Sequence, residues 1–171
     1  MNKAVLLSIK PQWCELIAMQ RKTLEVRKSI PSIETPFKVY IYETKAKWLF
    51  DALRNAGMTS IAEILEDGFG KVVGEFTCDY IKEISVPYPA YFTEMDGSVL
   101  DQSCLTYYEI HSYAGTSNIY GWHISDLRVY AEPKTLSDFS LVSAGIKNGW
   151  YHKPVDRAPQ SFCYVEELTN V

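Results

Sequence analysis

The chain contains 171 residues, of which 47% are hydrophobic and 22% are charged, and its formal net charge is −4. This size and composition indicate one globular domain spanning residues 1–171, and the acidic balance argues against a protein that coats DNA without specificity. No apolar run approaches the roughly 18 residues of a membrane span, and the N-terminus lacks the features of a signal peptide. We therefore expect a cytoplasmic protein with no membrane partner.

The first predicted elements are a buried strand and a short helix. Residues 4–9 read AVLLSI, an apolar run that is typical of a buried strand. Pro11 stands where a helix can begin, because proline fits the first helical turn. Trp13 and the apolar residues three and four positions after it have helical spacing, so residues 11–20 are predicted to form an amphipathic helix.

An alternating segment follows the predicted helix. In TLEVR, residues 23–27, the apolar Leu24 and Val26 alternate with polar residues, as in a strand with one buried face. This pattern places Glu25 and Arg27 together on the opposite face of the strand. Their spacing of two residues corresponds to about 6.6 Å along a strand.

A second alternating segment precedes a change of periodicity. Residues 37–45 (FKVYIYETK) are predicted to form a strand with Tyr40 and Tyr42 on its polar face, where they could stack on bases. Residues 46–66 then show helical spacing that is broken at Gly57, which predicts a helical insertion made of two short helices.

The second half of the chain is predicted to contain mainly strands and loops. The predicted order is a strand at 71–86, a loop at 87–104, a helix at 105–115, a strand at 120–133, an irregular stretch at 134–158 and a final strand at 161–168. A bend is expected at Gly74, and a bulge or strand end near Asp126, which fits poorly on the apolar face where the alternation places it. Because crossover helices are few, we predict an α+β fold in which a mostly antiparallel, twisted sheet closes into a small β-barrel with few flanking helices.

The sequence contains none of the common nucleophile, phosphate-loop and metal-site motifs. The four cysteines (Cys14, Cys78, Cys104 and Cys163) form no C-x-x-C pair, and the three histidines are equally scattered. We therefore predict reduced, mostly buried thiols, no metal site and no cofactor. The chain also has no G-x-S-x-G, P-loop, G-x-G-x-x-G or H-E-x-x-H motif.

Basic residues are concentrated near the N-terminus. The first thirty residues contain six Lys or Arg and two Glu, which gives +4, so the remainder of the chain carries −8. A local basic cluster on an acidic protein favours a defined anion-binding site over a general polyanion-binding surface. The alternative interpretation is that these charges form an ordinary solvated surface.

The N-terminal segment SIKPQWCELIAMQRKTLEVRKS resembles the opening of ASCH domains. Those domains have a strand, a proline-containing turn, a short helix and then a G-x-K-T-x-E-x-R stretch, which corresponds here to residues 20–27. The glycine of that motif is Gln20 in this chain. The segments KVVGEF and YGWHISDLRVYAEP also resemble strands of the family, and APQSFCYVE is similar to the closing strand of a bacterial and phage-associated subgroup.

The resemblance implies a PUA-like barrel with a cleft between the first helix, the K-T-x-E-x-R strand and neighbouring loops. The family is associated with binding of RNA or other nucleic acids. Some members are amidohydrolases that remove the acyl group of N4-acetylcytidine, and ribonuclease activity has been attributed to others. Lys22 matches the family's catalytic lysine, but Glu25 occupies the position of the amidohydrolase threonine nucleophile.

These observations predict a ligand site near the N-terminus. The candidate cations for phosphate contacts are Lys10, Lys22, Arg27 and Lys28, and Tyr42 and Lys45 are candidates for extending the site. Glu25 could accept a hydrogen bond from a base, act as a general base together with Lys22, or brace Arg27 in a structural ion pair. The residues alone leave these roles of Glu25 open.

Three functions are compatible with this sequence. The first is a module that binds RNA, another single-stranded nucleic acid or a modified nucleoside. The second is a small hydrolase that acts on an acylated nucleoside or on RNA, with Lys22 and Glu25 as its catalytic acid/base pair. Glu109, on the predicted helix at 105–115, could add a second carboxylate. The third is a protein-interaction module, which an exposed apolar patch at 46–66 would favour. The oligomeric state stays open.

Overall fold

A computed structural model of the chain describes residues 2–86, 96–142 and 153–168, with the side chains of 64–68 excepted. Within these residues, the strands are β1 (Lys3–Ile9), β2 (Leu24–Arg27), β3 (Phe37–Glu43), β4 (Val72–Cys78), β5 (Ile81–Ile84), β6 (Ile119–His123), β7 (Ser125–Lys134), β8 (Ser140–Leu141), β9 (Lys153–Pro154) and β10 (Phe162–Glu166). The helices are α1 (Pro11–Ala18), α2 (Lys47–Asn55), α3 (Thr59–Gly68), α4 (Gly97–Ser103) and α5 (Tyr107–Ala114), and a 3₁₀ turn covers Leu136–Asp138.

The described strands form two hydrogen-bonded sheets. The larger sheet has seven strands in the order β7-β4-β3-β1-β10-β8-β9, and the smaller has three in the order β2-β6-β5. Only β1 and β3 pair in parallel among these strands, while the other pairs are antiparallel. The predicted α+β class with mostly antiparallel strands is therefore confirmed. In the described part of the chain, no helix is long and apolar enough to cross a bilayer.

Two segments that were predicted as single long strands are each divided between the two sheets. The predicted strand at 71–86 is interrupted at Asp79 and Tyr80, so that β4 joins the large sheet and β5 the small one. The predicted strand at 120–133 is divided in the same way into β6 and β7. The expected irregularity near Asp126 is confirmed, because Asp126 has a positive φ of 47°.

The bend expected in β4 also has a physical cause. The pairing of β4 with β7 shifts register on either side of Gly74. A Cβ atom on Gly74 would lie 2.6 Å from the carbonyl oxygen of Arg128, so the two backbones approach too closely for any side chain at this position.

Both faces of β3 are buried, which contradicts the predicted polar face carrying Tyr40 and Tyr42. This strand lies inside the large sheet between β1 and β4, and its tyrosine face is covered by a second apolar cluster that contains Phe139. The Tyr40 ring lies 4.9 Å from that of Phe139, and its hydroxyl accepts a hydrogen bond from the backbone N–H of Leu168 at 2.8 Å. Neither tyrosine is available for stacking on a ligand.

The main core joins the two sheets. Trp122 of the small sheet is fully buried and contacts Phe37 of the large sheet edge to face, with 5.8 Å between the ring centroids. A third cluster packs Leu24 and Val26 of β2 against the helices α4 and α5. Because that face of β2 is buried, its alternate residues Glu25 and Arg27 point the other way, as the sequence predicted.

The helices near the middle of the chain agree with prediction in part. The predicted insertion at 46–66 contains the helices α2 and α3, which are separated at Gly57, whose φ is +77°.

The predicted loop at 87–104 is wrong at residues 97–103, which form α4, while 87–95 lie outside the described residues. Asp96 belongs to a sequence typical of a turn, but its side chain instead caps α4 by accepting a hydrogen bond from the N–H of Ser98.

The predicted irregular stretch at 134–158 is described only in part. Residues 143–152 lie outside the described residues. The 3₁₀ turn and the two-residue strands β8 and β9 occupy the remainder. The predicted helix at 105–115 and the last strand are present as α5 and β10.

The turn after α1 uses a left-handed residue that is not glycine. Gln20 has φ +58°, and its N–H donates to the carbonyl oxygen of Ile17 at 2.8 Å, so it closes the helix in the conformation that favours glycine. The turn therefore has the left-handed conformation that glycine usually adopts at a helix end, with strain at this one residue.

Replacing Gln20 by Gly is expected to raise the free energy of unfolding by about 0.5–1 kcal/mol, because glycine removes the left-handed strain at a modest cost in chain entropy. Urea denaturation measures this difference. Gln12→Gly is the matched control, because Gln12 is exposed within α1. This substitution should lower the free energy of unfolding by a similar amount, since glycine is unfavourable inside a helix. A Gln20→Gly variant less stable than the parent would contradict this account of the turn.

Candidate ligand-binding cleft

A cleft of about 560 Å³ opens where the end of β1, the start of α1, β2 and α5 meet. Its charged and polar lining includes Lys10, Lys22, Glu25, Arg27, Glu109 and Gln160, and its aromatic lining consists of Trp13, Tyr108 and Tyr113. The volume lies within the range of about 300–1,000 Å³ that is typical of small-molecule sites. The predicted site near the N-terminus therefore corresponds to a concave surface.

Lys22 is a buried member of the cleft. Only 2% of this residue is exposed, and its ammonium group donates a hydrogen bond of 2.7 Å to the carbonyl oxygen of Ser103, the last residue of α4. Helix ends leave carbonyl oxygens without intrahelical partners, so a cation is stabilised there. The Lys22 ammonium also lies 5.1 Å from the centroid of the Trp13 ring.

Glu25 lies between two cations. One carboxylate oxygen is 3.4 Å from the ammonium of Lys22, and the other is 2.9 Å from the guanidinium of Arg27. Glu25 itself is 5% exposed. Both oxygens are therefore engaged within the protein, which is the arrangement of a brace.

Arg27 is held at the wall of the cleft from two sides. Besides its contact with Glu25, the same Nη2 atom donates a hydrogen bond of 2.6 Å to the carbonyl oxygen of Ser8. Its Nε atom is buried without a hydrogen-bond partner among the described residues. These contacts fix the direction of the guanidinium before any ligand binds, so little side-chain entropy remains to be lost on binding.

The other predicted site residues fall into two groups. Lys10 lines the cleft and is exposed just before α1. Lys28 does not line the cleft, but its ammonium lies 5.2 Å from the centroid of the Tyr113 ring, so it stands at the rim. Tyr42 is buried on the far face of β3, and the exposed Lys45 packs its aliphatic chain against Gly70, so the structure does not bring either into the cleft.

The wall opposite β2 comes from α5, and most of its residues were not predicted as site residues. Tyr108 is 80% exposed and Tyr113 is 41% exposed, although both line the cleft. The signal in the sequence was the unusual density of tyrosine in the predicted helix at 105–115. Which wall that helix would form could not be inferred, because the contact with β2 is long-range.

Glu109 reaches the cleft from α5 but is already engaged in capping that helix. Its carboxylate accepts hydrogen bonds from the backbone N–H and the hydroxyl of Thr106, both at 2.8 Å. Both hydrogen bonds hold the pKa of Glu109 below its usual value, and the bond from the Thr106 backbone has the larger effect. The group is therefore a poor proton donor at neutral pH.

No protein-family model and no curated protein matches this sequence. Solved structures of ASCH from Zymomonas mobilis are similar to it. One has a TM-score of 0.58 at 16% identity and covers 96% of this chain and 88% of that chain. A tyrosine-to-phenylalanine mutant of the same protein has a TM-score of 0.57 at 16% identity and covers 97% of this chain and 92% of that chain. A serine-to-alanine mutant has a TM-score of 0.56 at 15% identity and covers 96% of this chain and 89% of that chain. The likeness shows that the chain has the fold of these ASCH structures, which confirms the predicted resemblance to ASCH domains at the level of the fold.

Proposed function

We propose that this chain, which has the ASCH fold, is a binding module for single-stranded nucleic acid, with RNA as the first candidate, and that the ligand occupies the cleft between β2 and α5. The observation that carries the proposal is the arrangement of Arg27, which is fixed by Glu25 and by the Ser8 carbonyl opposite a wall of exposed tyrosines. A pre-aimed cation facing aromatic rings suits a phosphate with its attached base.

The charge of the cleft supports a local site. Among the described lining residues, Lys10, Lys22 and Arg27 outnumber the carboxylates of Glu25 and Glu109, although the protein as a whole carries −4. A cationic cleft on an acidic protein attracts an anionic ligand to one place and repels polyanions elsewhere. We therefore expect modest affinity that decreases as salt is added.

Replacing Tyr108 by Ala is expected to weaken binding of a single-stranded RNA of about six nucleotides by roughly 5- to 100-fold, because stacking of one base contributes about 1–3 kcal/mol. Fluorescence anisotropy of a labelled RNA measures the effect. Stability should change little, because Tyr108 is 80% exposed.

Tyr80→Ala is the matched control for Tyr108→Ala. Tyr80 is also an exposed tyrosine, but it is not part of the cleft lining and stacks on His123 with 4.4 Å between ring centroids. RNA affinity should stay unchanged in this control. Equal losses in both variants, or no loss for Tyr108→Ala, would contradict a stacking role for α5.

A hydrolase acting on an acylated nucleoside such as N4-acetylcytidine, or on RNA, is the second candidate. It is favoured by one observation, namely that Lys22 and Glu25 are 3.4 Å apart and line the same cleft. Against it, both oxygens of Glu25 face cations, and a general base needs a free oxygen near the attacking water. We therefore expect Glu25 to act as a brace.

Incubation with N4-acetylcytidine and with a short RNA, followed by mass spectrometry, distinguishes the two candidates. The binding module leaves both substrates intact at high protein concentration. The hydrolase would be established instead if the parent chain formed product and both Lys22→Ala and Lys22→Met did not. Circular dichroism must show that both variants are folded. The methionine variant keeps the buried apolar chain of Lys22 and removes its ammonium group, with the hydrogen bond to Ser103.

A further inference from the structure

A second groove lies beside the cleft. It has a volume of about 550 Å³, close to that of the cleft. Its lining includes the apolar side chains of Val155, Phe162 and Cys163 and the cations Lys153 and Arg157. Neither the resemblance of the N-terminal motif nor the predicted site includes this surface.

The two concave surfaces share a wall. Gln160 lines both of them. The preceding residue, Pro159, lines the second groove, and its carbonyl oxygen accepts a hydrogen bond of 2.7 Å from the hydroxyl of Ser8, which lines the cleft. The carbonyl of Ser8 in turn holds Arg27. The two concave surfaces therefore adjoin at Gln160, so together they have room for successive units of one chain-like ligand.

The charges in the second groove suit an anionic continuation of the ligand. Asp156 is the one lining carboxylate among the described residues, and it pairs with Lys153 at 2.9 Å. Both side chains of that pair are more than half exposed, and ion pairs in water exchange partners readily. Arg157 adds a further exposed cation at the same place.

We propose that the second groove binds the next nucleotide of the strand, so that the ligand of this protein is an oligonucleotide rather than a free nucleotide. The inference rests on the proposed function of the cleft. It assigns Arg157, with Lys153, to a backbone phosphate of that next nucleotide. The length of ligand recognised then exceeds what the cleft alone could hold.

The test compares uridine monophosphate with a single-stranded RNA of about six nucleotides, each titrated against the full chain by calorimetry. We expect the oligonucleotide to bind at least about tenfold more tightly. Arg157→Ala should remove about tenfold of that affinity, reduce the salt slope of oligonucleotide binding by about 0.7, and leave binding of the monophosphate unchanged. Lys153→Ala serves as a second variant, with a loss at least as large expected because the Asp156 carboxylate then stands unpaired beside the phosphate.

The control is Arg128→Ala, because Arg128 is exposed on β7 at the opposite edge of the large sheet. Equal affinity for the two ligands, or an Arg157→Ala loss that appears for both, would overturn the inference and leave the cleft as a nucleotide site. If neither ligand binds at low salt, the proposed function of the cleft fails together with the inference. A loss in Arg128→Ala equal to that in Arg157→Ala would also overturn the inference, because it would indicate a diffuse charge effect.

Discussion

Replacing Glu25 by Ala is expected to lower the free energy of unfolding by about 3–5 kcal/mol. The substitution removes the carboxylate that lies between Lys22 and Arg27. Two largely buried cations then stand next to each other with no negative charge between them. Breaking a buried ion pair from one side has this large cost because the remaining charge keeps its desolvation penalty. Urea denaturation followed by circular dichroism measures the change.

Two further variants show whether the effect comes from the charge. Glu15→Ala is the control, because Glu15 is exposed on α1 and should change stability by less than about 0.5 kcal/mol. Glu25→Gln keeps the shape of the side chain and one acceptor, so an intermediate loss is expected. A Glu25→Ala variant as stable as the parent would show that Glu25 does not brace the site.

Replacing Arg27 by Ala is expected to weaken binding of the short single-stranded RNA by about 10- to 100-fold. A hydrogen bond to a charged group contributes about 1.5–3 kcal/mol, and each 1.4 kcal/mol corresponds to a factor of ten. Glu25 keeps Lys22 as a partner in this variant, so the protein should remain folded. Fluorescence anisotropy measures the affinity, and a thermal melt confirms folding.

The matched control for Arg27→Ala is Arg54→Ala. Arg54 lies on α2, outside the cleft, and its pairing with Asp51 at 3.7 Å is exposed on the surface. Its removal should change RNA affinity less than about twofold. An unchanged affinity in folded Arg27→Ala would exclude Arg27 as the ligand cation, and equal losses in both variants would indicate general charge attraction.

Local patterns predicted well the strands and the helix that carry the N-terminal half of the candidate site. The apolar run of β1, the proline that begins α1 and the alternation of β2 are all short-range features, and the structure has each of them. The same alternation placed Glu25 and Arg27 on one face. Those predictions succeed because the residues involved are neighbours in sequence.

The predictions failed where distant residues decide the environment. The burial of Lys22 could not be predicted, because Ser103, which accepts its hydrogen bond, stands 81 positions later in the chain. Tyr42 was placed on a polar face, but a cluster containing Phe139 covers it. No window of sequence contains both partners of such contacts, so periodicity alone could not reveal them.

The division of strands between two sheets was also hidden from periodicity. The segments at 71–86 and 120–133 keep strand-like composition through Asp79 and Ile124, where the chain changes sheets. Only Asp126 gave a local warning, because a carboxylate fits poorly on an apolar face. The small sheet that results contains β2, and α5 packs against β2 in the third apolar cluster.

The most direct test of the cleft as a nucleic-acid site is the salt dependence of RNA binding by the unmodified chain. Affinity for a single-stranded RNA of about six nucleotides would be measured between about 50 and 200 mM salt. If Lys10 and Arg27 each meet one phosphate, the logarithm of the affinity should fall with the logarithm of salt with a slope at least as steep as about −1.4. No binding at the lowest salt, or an affinity that does not change with salt, would contradict the proposal.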